Sequence, residues 1–116
     1  MFTISKNYII TATHGDDFSF NYSINLGTPM QEDIYTLTDG DYLFLGVMEH
    51  NQDFEQALIK KTFTKDNIVI KTGEVNIKFT SKDTINVVPG EYRYEIKLFK
   101  NNGEVITLLN KKFILL

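Results

Sequence analysis

His14 and His50 are the only histidines in the chain, and each has carboxylates close by in sequence. Asp16 and Asp17 follow the first, while Glu49 and Asp53 flank the second. Imidazole and carboxylate together form a donor set for zinc or iron, so a metal site can be written at either place. Neither run has the spacing of a ligand motif, and both histidines are read as ordinary loop residues. Residues 27–41 carry Glu32, Asp33, Asp39 and Asp41, oxygen donors of the kind calcium takes. The D-x-D-x-D-G loop with its distal Glu is missing, so this stretch is predicted to be a solvated acidic loop. The chain has no cysteine, which removes thiolate metal ligands, a cysteine nucleophile and any disulfide framework, and suits a reducing compartment. No G-x-S-x-G nucleophile turn occurs, and neither phosphate-cradling glycine pattern can be found among the seven glycines. The expectation is therefore no catalysis, no cofactor and no metal.

Aromatic residues offer two other kinds of work. Tyr92 and Tyr94 follow Pro89-Gly90-Glu91 at the start of an alternating segment. There a tyrosine ring can enter the core while its hydroxyl bonds backbone across the corner, the tyrosine corner of Greek-key sandwiches. Tyr8, Tyr35 and Tyr42 stand beside polar loop residues and are the available stacking aromatics for a carbohydrate-binding or adhesion module, the alternative function.

These side chains must be positioned by strands. Over residues 18–26 apolar and polar types alternate strictly, which puts Phe18, Phe20, Tyr22, Ile24 and Leu26 on one face. Val75, Ile77 and Phe79 alternate with Asn76 and Lys78, and Tyr92, Tyr94, Ile96 and Leu98 with Arg93, Glu95 and Lys97. Less regular strands are predicted over residues 8–12, 42–49, 57–64, 104–109 and 112–115. The segment 42–49 is apolar on both faces, as a central strand would be. Asn102-Gly103 between two apolar runs predicts a two-residue type I′ hairpin joining 92–99 to 104–109. Asp39-Gly40, Lys71-Thr72-Gly73 and Pro89-Gly90 mark further turns, and Asn110-Lys111 a break before the last strand. Residues 53–58 could begin a helical turn but run into β-rich sequence, and are read as loop. Seven to eight short strands without long helices between them predict an all-β fold, an immunoglobulin-like antiparallel β-sandwich. The outermost strands are expected at residues 8–12 and 112–115, where an edge could pair with another chain.

The 116 residues fit one domain, 1–116, large enough to bury about two-thirds of its unfolded surface. A formal net charge of −3 argues against a broad phosphate-binding surface, and so against nucleic acid as partner. The first residues, MFTISKNYII, lack a long apolar run and a small-residue cleavage site, and no apolar run approaches the roughly 20 residues of a membrane span. The expectation is a soluble chain without a signal peptide and without a membrane partner.

Several runs together carry a resemblance. They are Gly15-Asp16-Asp17-Phe18-Ser19-Phe20, Leu37-Thr38-Asp39-Gly40-Asp41-Tyr42-Leu43-Phe44, Gly73-Glu74-Val75-Asn76-Ile77-Lys78-Phe79-Thr80, Asp83-Thr84, Pro89-Gly90-Glu91-Tyr92-Arg93-Tyr94-Glu95-Ile96-Lys97-Leu98, Asn102-Gly103 and Val105-Ile106-Thr107-Leu108. In this succession the chain resembles the immunoglobulin-like domain of tailed-phage structural proteins, and within them the N-terminal domain of baseplate upper proteins of Firmicutes phages and prophages. The resemblance implies a non-enzymatic virion part, found in the virion or in host cytoplasm before assembly. Its partners would be other tail, baseplate or capsid proteins, or further copies of itself. Those proteins usually continue into a fibre, coiled coil or receptor-binding region, and the expectation here is a module that stands alone or has that part on a separate polypeptide. The matching positions are strand and turn scaffold, so no functional residue is carried over.

Overall fold

A computed structural model describes residues 1–116. The chain is all-β apart from three short turns of helix. Its strands are β1 (Phe2–Ile4), β2 (Ile10–Ala12), β3 (Phe18–Tyr22), β4 (Ile24–Asn25), β5 (Ile34–Tyr35), β6 (Tyr42–Met48), β7 (Ile59–Phe63), β8 (Val75–Phe79), β9 (Gly90–Phe99) and β10 (Val105–Leu115). The only α-helical turn is α1 (Ser81–Thr84), and 3-10 turns lie at Phe54–Gln56 and Lys65–Asn67.

Six strands form one sheet in the order β1-β2-β10-β9-β6-β7; β3 pairs with β8, and β4 with β5. The alternation at residues 18–26 is realised as β3 and β4, interrupted at Ser23, with Phe18, Tyr22 and Ile24 buried. Strand β6 is interior, between β9 and the edge strand β7, but its outer residues Tyr42 and Phe44 are only partly buried. Its inward residues Leu43, Leu45 and Val47 face the same core as Tyr92, Tyr94, Ile96 and Leu98 of β9. The β3–β8 pair packs over this inner face. Phe18 and Phe79 stack on each other at 4.6 Å, and Phe79 reaches Phe113 of β10 at 5.8 Å between ring centroids. Full burial of one such ring is worth about 1.5–3 kcal/mol.

Five expectations are corrected. The large sheet is mixed, because residues 113–115 of β10 pair parallel with residues 10–12 of β2. Consequently neither the 8–12 nor the 112–115 segment is an edge: β2 and β10 are interior, and the edges are β1 and β7. Strand β10 also runs unbroken through Asn110 and Lys111, since β9 supplies their backbone partners Glu95 and Tyr94. A β-bulge between Thr107 and Leu109 shifts its phase instead. At the β9–β10 hairpin, Lys100 and Glu104 close a three-residue loop by Lys100 N donating to Glu104 O at 2.8 Å, and Gly103 N donates to Lys100 O at 2.9 Å. Only Gly103 has positive φ, +91°, so this is a type I turn with a glycine bulge, and Asn102 is not in the left-handed region that a type I′ turn requires. Finally, residues 53–58 are not all loop, since Phe54–Gln56 makes a 3-10 turn.

Candidate functional site

Strand β6 also has an outer side. Tyr42 and Phe44 alternate with the core residues and point away from them, as does Phe99 of β9. Phe99 stacks on Tyr42 with ring centroids 4.8 Å apart and planes 6° from parallel. It meets Phe44 edge-on at 6.5 Å, and Phe44 in turn meets Phe54 at 4.7 Å. Phe54 lies across the sheet because Gly46 leaves it room: a Cβ at position 46 would come within 3.1 Å of the Phe54 ring. The Lys97 ammonium stands 4.6 Å over that ring, a cation–π contact. None of the four aromatics belongs to the central core cluster. They form a second, partly exposed aromatic row on a sheet face that no other layer covers, with Val105 half exposed at its β10 side.

At the end of this row a groove of about 530 Å³ opens between residues 38–41 and the junction of β7 with the Lys65–Asn67 turn. Tyr42 and Phe44 are its apolar lining, and Thr62, Thr64, Asp39, Lys65 and Asp66 are among its polar lining. Lys65 pairs with Asp39 across it, and that contact raises the Lys65 pKa.

The groove wall includes a buried carboxylate, Asp41, 3% exposed. Its Oδ2 accepts from the Tyr35 hydroxyl at 2.5 Å, from Thr38 N at 2.9 Å and from Thr38 Oγ1 at 2.9 Å. Its Oδ1 accepts from Asn101 N at 2.7 Å. Burial pushes the Asp41 pKa up, but the hydrogen bonds from Tyr35, Thr38 and Asn101 outweigh it and lower the value to about 2. The same contact to Asp41, with burial, raises the Tyr35 hydroxyl. Asp41 thus ties the loop before β6 to the β9–β10 hairpin.

The structure does not gather Tyr8, Tyr35 and Tyr42 into one platform. Tyr35 spends its hydroxyl on Asp41 and has the Lys100 ammonium 5.3 Å over its ring. Tyr8 is held at φ +61° before β2, edge-on to Tyr22 at 5.9 Å, with β10 and β9 between it and β6. Only Tyr42 lines the groove. The histidine–acid pairs are dispersed too. His14 Nε2 contacts the Ile85 carbonyl at 2.9 Å, Asp16 takes the N-terminal ammonium at 3.1 Å, and Asp17 accepts from Ser81 N at 2.6 Å. His50 lies 3.6 Å from Glu91, while Asp53 caps the Phe54–Gln56 turn, its N donating to Gln56 Oε1 at 2.9 Å. No three metal-ligating side chains stand together, and Glu32, Asp33, Asp39 and Asp41 are spread over a hairpin, a groove wall and a buried knot.

Tyr92 and Tyr94 are buried, and both hydroxyls donate to backbone: Tyr92 to Val88 O, four residues upstream, and Tyr94 to Tyr8 O. Burial raises the Tyr94 hydroxyl pKa. Phe44, Phe54 and Phe99 were not singled out by sequence. Two signals pointed to Phe44 and Phe99, the two apolar sides of β6 and Phe99 falling out of phase with Tyr92, Tyr94, Ile96 and Leu98, and none pointed to Phe54.

Neither a protein-family model nor a curated protein matches the chain.

Proposed function

We propose that this chain is an immunoglobulin-like β-sandwich serving as a phage or prophage structural module, in the baseplate, tail or capsid, through protein–protein association and without catalysis. The order of β7, β6, β9 and β10 supports the fold, because it corresponds to C′, C, F and G of such sandwiches, with β3 and β8 as B and E. The Tyr92 bond to Val88 supports it as well, standing at the start of the F-equivalent strand and reaching back a few residues.

One observation carries the association reading: the uncovered aromatic row Phe54-Phe44-Phe99-Tyr42. The outer face of a sandwich sheet is ordinarily polar, and a contiguous apolar patch there marks a contact surface. Tailed-phage proteins, by the resemblance in sequence, are the partners it suggests, and further copies of the chain are the other. The test is capture of virion proteins on immobilised wild type and on Phe54→Glu, with light scattering of both. Retention of a virion protein, or a stable oligomer, that the variant loses is the expected result. Equal behaviour of the two proteins rejects the row as the contact surface.

A further inference from the structure

We propose that the groove beside Tyr42 is a binding site for an uncharged oligosaccharide. This goes beyond protein association and does not rest on it. At about 530 Å³ the groove has the size of a small-ligand site. Tyr42 is covered by Phe99 on one side and lines the groove, from whose lining Phe99 is absent. The ring face it can present is electron-rich and attracts the polarised C–H face of a pyranose.

The rim decides the ligand class. Thr62 and Thr64 carry hydroxyls that donate and accept, Asp66 is an acceptor, and Lys65 is a donor held at the mouth by Asp39. Sugar hydroxyls, which also donate and accept, match such a mixed set. A phosphate or sulfate ester would meet Asp39 and Asp66, and a purely apolar ligand would leave the Thr62 hydroxyl without a partner, whereas Thr64 Oγ1 already accepts from Asp66 N at 3.3 Å. Asp41 is part of the lining, but it is buried and its oxygens are committed to Tyr35, Thr38 and Asn101, so it fixes the wall instead of binding ligand.

The experiment is saturation-transfer NMR on the full chain with maltotriose, cellotriose, chitotriose and galactobiose, and with acetyl-arginine amide as a cationic side-chain probe. At least one sugar should receive saturation, and Tyr42→Ala should weaken its binding tenfold or more. Should Tyr42→Ala disturb the sheet, Thr62→Val and Asp66→Ala remain, both on the rim, each expected to weaken binding severalfold. Val105→Lys, on the docking row but outside the groove lining, should leave sugar binding unchanged while altering association, which separates this site from the protein-contact reading. No transfer to any sugar overturns the proposal. So does transfer that Thr62→Val and Asp66→Ala leave intact, or transfer to acetyl-arginine amide alone, which would make the groove a pocket for a protein's basic side chain.

Discussion

The two faces of the six-stranded sheet are built from the same strands and live under different rules. On the inner face Leu43, Leu45, Tyr94, Ile96, Leu98 and Phe113 are each fully buried. On the outer face Tyr42, Phe44, Phe54 and Phe99 touch one another but stay partly open to solvent. Both sets are hydrophobic, so hydrophobicity alone does not say which one holds the fold together. Coverage by a second layer does. The inner set is locked by β3 and β8, whereas the outer set is left with apolar surface that no second layer covers.

The contrast breaks first at its strongest point. Phe113→Ala should cost about 3–5 kcal/mol in urea unfolding, because it empties a site enclosed by Phe18, Phe79 and Tyr94. A loss under about 1 kcal/mol would mean that the inner face is not the core.

Asp41→Asn is expected next, at about 2–3 kcal/mol at pH 7, since it disturbs charge-assisted bonds that join three segments. The pH dependence has a definite sign. A carboxylate whose folded pKa is depressed to about 2 adds stability that is complete above its unfolded value near 4 and lost as pH falls towards 2. Urea midpoints of wild type and Asp41→Asn should therefore converge between pH 5 and pH 2, and a constant gap contradicts the assignment.

Tyr92→Phe sharpens the comparison on a smaller scale. It keeps the buried ring and removes only the hydroxyl that reaches Val88, for a loss of about 1 kcal/mol. No change in thermal midpoint would mean that the corner bond adds nothing net. Val105→Lys, on the outer face, should change stability by less than about 0.5 kcal/mol. If it unfolds the domain, the outer face is structural after all.

The sequence shows the inner face well because period two survives there: Phe18 to Tyr22, Val75 to Phe79 and Tyr92 to Leu98 all sit as their alternation requires. Legibility fails where pairing is decided by distant chain. The polar pair Asn110-Lys111 reads as a break, yet hydrogen bonding to β9 carries the strand through it, and the bulge after Thr107 moves the inward positions from Ile106 to Leu109. Strand β1 is three residues long, too short for a periodic signal. The Asn-Gly pair announced a hairpin correctly, but the loop length was set by the register of Phe99 with Val105. The candidate groove was half visible, through Tyr42. Its other walls come from residues 38–41 and 62–66, which are neighbours only once β6 and β7 have paired.

The parallel pairing of β2 with β10 has a mechanical meaning. The two strands run side by side in one direction, and the join is extended by Leu116 N donating to Ala12 O at 2.8 Å and His14 N donating to Leu116 O at 3.1 Å. Tension applied through the two chain ends first peels β1, then draws β2 backward and β10 forward along each other. These bonds are then loaded together in shear instead of one at a time, so the seam between the first and last segments would be the part of the domain that resists stretching, and cutting it by Ala12→Pro, which removes an N–H on the β10 side of β2, should lower the rupture force in single-molecule pulling.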